Sequence, residues 1–259
     1  MNRLAQGSRV AHSVDDAADV ETLPVPWVPA VATEVLTRLQ SGDADTGTLH
    51  RLLRREPAIA AGVLRIANAP GYQPRVPLLS VADVEVRLGP RVLDEIALAA
   101  SIQQGVFSAP GQDNELRWIL RRALACAAFA KLMVTPRTTT ARWAFTCGLL
   151  SNLGEPVVLC ARAVTAKGDD TDTPEVLHAL VGRRVAKLWK LPPLVVACIE
   201  REIPAGWSPE MRELIALVGR CRELAADLCG PGRSPRARPP RLGSHRAQVQ
   251  TIVDSLTLA

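Results

Sequence analysis

Four histidines, six cysteines, a Ser-Asn pair between two glycines and a run of arginines near the C-terminal end are the residues that could do chemistry in this 259-residue chain. His12, His50, His178 and His245 are all far from one another in sequence, and no H-e-x-x-H pattern joins two on one helical face. His50, between Leu49 and Arg51, and His178, between Leu177 and Ala179, read as packed or surface residues rather than ligands. Cys126, Cys147, Cys160, Cys198, Cys221 and Cys229 contain no C-x-x-C spacing, and most lie among Ala, Leu and Val. They read as free thiols used as small hydrophobes. Ser151 has no histidine in its own motif to activate it, and no G-x-S-x-G, Walker loop or G-x-G-x-x-G is present. The acids Asp113, Glu115, Glu155, Asp169 and Asp170 lack neighbouring histidines and read as helix caps and loop charges.

The formal net charge of +5 comes from one place. Residues 231–246 hold Arg233, Arg236, Arg238, Arg241 and Arg246 with no acid, and the remainder of the chain is balanced. This Pro/Gly/Arg-rich stretch is too poor in apolar residues to fold alone and reads as a linker able to meet a polyanion such as nucleic acid. Arginine outnumbers lysine along the whole chain, which weakens any specific reading of the run, and no aromatic residue follows Trp207 to stack on bases.

The elements that must position these residues are helices. Hydrophobic residues make up 47% of the chain and aromatics only 3%, so the core is built from Ala, Leu and Val, and no strand-length alternation is seen. The fold class expected is all-α. Residues 1–20 read as a loose tail. Val28 to Leu39 has helical spacing stopped by Ser41-Gly42-Asp43; a second helix starts near Thr46; and Pro57 suits the first turn of a third. Ser80-Val81-Ala82-Asp83 has the spacing of an N-cap before a short helix to Leu88, followed by one from Pro90 to about Gln104. Residues 103–114 read as a loop and a subregion boundary. Helices are then expected over Glu115–Met133, Thr139–Leu150, Glu155–Ala166, Val176–Lys190, Pro192–Glu202 and Pro209–Cys229, with Thr173-Pro174 and Ser208-Pro209 as starts. A last helix is expected over about 246–256, in a C-terminal extension of residues 247–259. No run reaches the roughly 18 to 20 uninterrupted apolar residues of a membrane span, and the N-terminal residues carry no secretory pattern, so a cytoplasmic protein is expected.

Several pieces in order resemble the HDOD family. Leu23-Pro24 opens the match, Glu56-Pro57-Ala58-Ile59-Ala60 is similar to that family's acid-Pro-Ala-Leu-Ala turn, and Leu64-Arg65-Ile66-Ala67-Asn68 to its Leu-Arg-Leu-Ala-Asn. Ser80-Val81-Ala82-Asp83 with Leu88-Gly89 resembles the start of its next helix pair. Gly148-Leu149-Leu150-Ser151-Asn152-Leu153-Gly154 resembles Gly-Leu-Leu-His-Asp-Leu-Gly, and Trp189-Lys190-Leu191-Pro192 resembles Trp-Gly-Leu-Pro. The resemblance implies a multi-helix domain over about 21–230, related to the metal-dependent HD phosphohydrolases and serving bacterial signalling without catalysis.

The departures sharpen that implication. Ser151 and Asn152 stand where the His-Asp metal pair would be, Leu120 where an upstream histidine would fall on alignment at Trp118, and Glu202 where a later histidine would lie. A hydroxyl, an amide and an isobutyl group are poor donors to a divalent ion, so no metal, no cofactor and no catalytic residue are expected. Arg121 and Arg122 add positive charge there, and with Ser151 and Asn152 could hold a small anion, although close packing predicts a filled pocket. The function expected is a non-enzymatic module binding an unknown protein partner. Its alternatives are a phosphohydrolase with an altered ligand set, or nucleic-acid binding through Arg233, Arg236, Arg238, Arg241 and Arg246. The five tryptophans, Trp27, Trp118, Trp143, Trp189 and Trp207, are expected to be buried, and an exposed one would mark a contact surface.

Overall fold

Helix starts and stops follow from local signals at the backbone's unpaired groups: a capping side chain at some ends, a first-turn proline or a left-handed glycine at others. In the computed structural model, which describes residues 20, 23–43, 45–69, 72, 76–104, 106–165, 175–229 and 249, α1 (Ala30–Ser41) ends where Gly42 turns left-handed at φ 74° and donates its N–H to the Arg38 carbonyl. Then α2 (Gly47–Arg55) and α3 (Pro57–Ala67) follow, with Pro57 in the first turn. At the head of α4 (Val81–Leu88), Ser80 Oγ accepts from the Asp83 N–H at 3.1 Å and Asp83 Oδ2 from the Ser80 N–H at 2.8 Å, the reciprocal capping box anticipated from spacing. The α5 helix (Pro90–Gln103) completes the N-terminal group. Asn68 clips its loop shut: Nδ2 donates to the carbonyls of Leu64 and Leu78, each at 2.9 Å, and Oδ1 accepts from the Leu78 N–H at 2.8 Å.

The second group begins with the long α6 (Asp113–Met133), followed by a 3₁₀ turn at Ala141–Trp143, α7 (Ala144–Leu150), α8 (Gly154–Thr165), α9 (Glu175–Leu188), α10 (Pro193–Glu200) and α11 (Pro209–Cys229). Every residue of α7 is buried. It can lie that deep because Gly148 has no side chain: a Cβ there would stand 2.7 Å from Ala127 Cα, so α6 and α7 touch backbone to backbone. Gly154 does the same for α8 and α9, since its Cβ would stand 2.0 Å from the His178 carbonyl oxygen. No strand occurs among the described residues. Apolar residues of both groups join in one core running from Val31 and Leu49 through Ile96 and Phe129 to Val218.

The ends differ from expectation where they are described. Val20, assigned to the tail, is buried, and its carbonyl and that of Leu23 accept from Arg184 Nη1. Val249, in the expected last helix, is wholly buried; the rest of that helix, the Arg233–Arg246 stretch, Thr173-Pro174, His12 and His245 lie outside the described residues. Ser208 is confirmed as a cap, its Oγ accepting from the Met211 N–H. The stretch Ala141–Ala163 is apolar and long enough to cross a bilayer, but its apolar window is 94% buried and the turn at residues 151–153 interrupts it, which makes it a core element.

Trp143 and Trp189 are buried and Trp118 and Trp207 half-buried. Trp27 corrects the expectation of burial: at 94% exposed it stands clear of the core, just before α1. All six cysteines are free, four of them buried. Burial pushes the Cys126 thiol up to about 12, and Cys221 is raised for the same reason. Cys147 is raised chiefly by its hydrogen bond with Cys198. These thiols stay protonated and unreactive at neutral pH.

Candidate functional site

The Ser-Asn turn between α7 and α8 sits at the floor of a cavity, and each wall is a different helix. From α6 come Glu115, Trp118, Ile119 and Arg122, spaced at i, i+3, i+4 and i+7 so that they share one face. From α8 come Glu155, Val158, Leu159 and Arg162; from α9, His178; from the end of α10, Arg201; and from α11, Arg222, Glu223 and Ala226. The space enclosed is about 510 Å³. A smaller space of about 200 Å³ adjoins it, bounded by Ser151, Ala179, Ile199 and Glu200, and shares Asn152, His178, Arg201 and Arg222. The filled pocket expected from close packing is therefore not what is found. Arg122, Arg162, Arg201 and Arg222 are among the side chains that line the larger space.

Ser151 is 2% exposed and its hydroxyl is committed, donating to the Gly148 carbonyl at 2.9 Å. Its own carbonyl accepts from Arg222 Nη1 at 3.2 Å. Asn152 is 4% exposed, and its Oδ1 is buried without a hydrogen-bond partner; such an acceptor costs about 1–3 kcal/mol. Arg122 is ion-paired with Glu155 and lies 4.3 Å above the Trp118 ring, leaving its Nε buried and unpaired. Burial, and then the neighbouring positive charge of Arg222, push the Arg122 guanidinium down to about 10. Two guanidiniums thus share a low-dielectric site in which each raises the cost of the other.

Not every position singled out in the sequence reaches this site. Leu120 is half-buried against the core and lines neither space; the α6 face that does so carries Ile119 and Arg122. Arg121 likewise lies off the lining. Glu202 is exposed in the loop beyond α10, while Glu200 and Arg201 just before it are at the cavity. Glu155 stands in the first turn of α8, as expected of a helix-end charge, and is also the buried partner of Arg122.

Residues 25–203 match the HDOD domain family. The chain belongs to that family. The HDOD fold is also seen in solved structures: an HDOD domain protein of unknown function from Geobacter sulfurreducens superposes with a TM-score of 0.68 at 22% identity, covering 92% of this chain and 87% of that one. A proposed phosphohydrolase from Shewanella amazonensis SB2B gives 0.63 at 22% identity, covering 92% and 97%. A proposed signal transduction protein from Marinobacter aquaeolei VT8 gives 0.50 at 20% identity, covering 97% of this chain and 60% of that one. At these identities the likeness is one of fold. No curated protein matches.

The donor set of this HDOD chain does not fit a divalent metal. A cation at the Ser-Asn turn would meet a committed hydroxyl, one neutral amide and the fixed charges of Arg122 and Arg222, while the carboxylate of Glu155 at the same cavity is already paired with Arg122. Among the described residues no group of three His, Cys, Asp or Glu is arranged to hold one. His178 does reach the cavity, a placement its lone position in sequence gave no reason to expect; the close crossing of α8 and α9 at Gly154 carries it there.

Proposed function

We propose that this HDOD chain is a non-catalytic regulatory module of bacterial signal transduction, acting in the cytoplasm by binding a partner protein. The observation that carries the reading is the pair at the Ser-Asn turn: Ser151 and Asn152 offer a committed hydroxyl and a neutral amide, and Arg122 and Arg222 bring positive charge to the same cavity. Ser151 offers no substitute chemistry, because its hydroxyl is turned to the Gly148 carbonyl and no histidine bonds it. A partner surface is supported on the other group of helices. Trp27 at 94%, Val86 at 89% and Leu79 at 81% exposure leave large apolar side chains in water, as binding surfaces do.

Metal content tests the non-catalytic half. Purified protein incubated with manganese, iron and zinc and then desalted is expected to retain none in stoichiometric amount, and to leave bis-p-nitrophenyl phosphate intact. Near-stoichiometric metal, together with hydrolysis abolished by Asn152→Leu, would establish a phosphohydrolase with an altered ligand set instead. For the binding half, Trp27→Ala is expected to lose a partner that the parent chain captures and mass spectrometry identifies; capture unchanged by Trp27→Ala and Val86→Ser together would move the surface elsewhere.

A further inference from the structure

The segment before α1 is pinned to α9 through its main chain. Arg184 Nη1 donates to the carbonyls of Val20 and Leu23, and Trp189 Nε1 donates to that of Pro26 at 2.9 Å. Trp27 follows the pinned residue directly, so its indole is held at the C-terminal end of α9 and, at 94% exposure, in water. At that same end Leu188, the last residue of α9, is 56% exposed. The seam between the two helix groups thus shows an aromatic and an aliphatic side chain on backbone that is already fixed, which lowers the ordering cost of binding there.

The charge around this patch has one sign. No acid occurs from Thr22 to Thr33 or from Val176 to Ile199. Within the second span Arg183 is paired with Glu200, and Arg184 is engaged by the two carbonyls. Lys187 and Lys190 are exposed and form no ion pair among the described residues. Lys187 suits the negative end of any helix. Lys190 is different: it is the left-handed residue just past the helix, at φ 52°, in a turn where the Leu191 N–H donates to the Ala186 carbonyl at 2.9 Å and the Lys190 N–H to that of Lys187 at 3.2 Å. Glycine is the ordinary occupant of such a position, because a Cβ strains it. A lysine kept there against the backbone's preference points to a use for its side chain.

We infer that this patch docks an acidic segment of the partner protein, with a large apolar side chain of that segment against Trp27 and Leu188 and its carboxylates toward Lys187 and Lys190. The inference rests on the partner-binding reading and gives the partner its chemistry. An exposed Trp bordered by charge of one sign has the make-up of a binding hot spot, and the same lysines that attract an acidic partner reject a basic one. An anionic membrane fits less well, because one indole with Lys187 and Lys190 falls short of what stable anchoring takes.

Selection from a displayed library of random short peptides on the full chain, with counter-selection on the variant Trp27→Ala, Lys187→Glu, Lys190→Glu, tests it. Enriched sequences are expected to carry Asp or Glu around a large apolar residue. Fluorescence polarisation with the leading peptide is expected to show binding about tenfold weaker to Trp27→Ala and about threefold or more weaker to Lys190→Gly. Because Lys190→Gly relieves the left-handed backbone, its melting temperature should match or exceed the parent's, so weaker binding cannot come from lost folding. Replacing Arg233, Arg236, Arg238 and Arg241 by Ser should leave the affinity unchanged, which separates the patch from the basic stretch. No enrichment, affinity insensitive to both Trp27→Ala and Lys190→Gly, or affinity lost in the Arg233–Arg241 variant overturns the site. Uncharged or basic winners that still need Trp27 overturn the acidic partner while leaving the module's binding role in place. Trp27-dependent binding to phosphatidylserine vesicles, without peptide enrichment, would assign the patch to a membrane instead.

Discussion

Arg222 donates from Nη1 to the main-chain carbonyl of Ser151 at 3.2 Å, so a side chain of α11 holds the turn between α7 and α8. The bond is buried, and Arg222 itself is 9% exposed. A charged donor lost from a buried carbonyl costs more than a neutral one, because the acceptor left behind finds no water. Arg222→Met, which keeps much of the length, is expected to lower unfolding free energy by about 1–3 kcal/mol in urea titrations. Ser151→Ala removes only a hydroxyl bonded three residues back and should cost about 1 kcal/mol or less. Equal costs for the two would show that the main-chain carbonyl at Ser151 needs no such tie.

The crossing of α8 and α9 makes a sharper prediction. A Cβ at Gly154 would lie 2.0 Å from the His178 carbonyl oxygen and 2.9 Å from the Gly182 nitrogen, and backbone cannot step aside as a flexible side chain can. Gly154→Ala should therefore destabilise by about 3 kcal/mol or more. Gly219, in α11, has nothing within 4 Å of its added Cβ, so Gly219→Ala should stabilise by about 0.5–1 kcal/mol through helix propensity. Thermal melts read the pair directly: the first moves down by several degrees and the second slightly up. A Gly154→Ala protein melting with the parent would mean the two helices do not cross this closely.

The same contrast explains what could be read in the sequence and what could not. Helix ends were legible because their signals are local: Pro57, the Ser80–Asp83 box, Gly42 and Ser208 each act within one turn. The 3₁₀ turn at Ala141–Trp143, expected as plain helix, has no such signal. The cavity was not legible, since Arg122, Arg162, Arg201 and Arg222 come from segments up to a hundred positions apart, and arginine is common throughout this chain. Periodicity reports which face of one helix is apolar, not which faces of four helices meet. Alignment on Trp118 reached the right helix but placed the site at Leu120, while the helical spacing from Trp118 and Ile119 leads to Arg122.

In the N-terminal group, Arg38 Nε donates to Asp94 Oδ1 at 2.9 Å, with both side chains at 8% exposure or less. Breaking one half of a buried pair leaves the other charge uncompensated. Arg38→Met alone is expected to cost about 3–5 kcal/mol, and the double change Arg38→Met with Asp94→Leu to recover most of it, because two apolar side chains avoid the desolvation of both ions. A double-mutant cycle in urea measures the coupling. Additive losses would show that the pair is not coupled.

Glu85 ties α4 to α2, its Oε1 accepting from Thr46 Oγ1 and its Oε2 lying against His50 Nε2, each at 2.6 Å. The Thr46 hydroxyl first, and His50 after it, hold this carboxyl below the ordinary glutamate value. A depressed folded-state pKa means that the native protein binds the proton less readily than the unfolded chain does. The stability Glu85 supplies is accordingly complete above the unfolded value of about 4.3 and disappears as pH falls through the lower folded value. Because the side chain is partly exposed, the contribution is discounted for solvent screening to about 1 kcal/mol. Urea denaturation of the parent and Glu85→Gln from pH 7 to pH 3 should show a constant gap down to the ordinary glutamate range and a shrinking one below it. A gap that widened as pH fell would place the folded value above the unfolded one, and the Thr46 and His50 contacts would then not be made to the carboxylate.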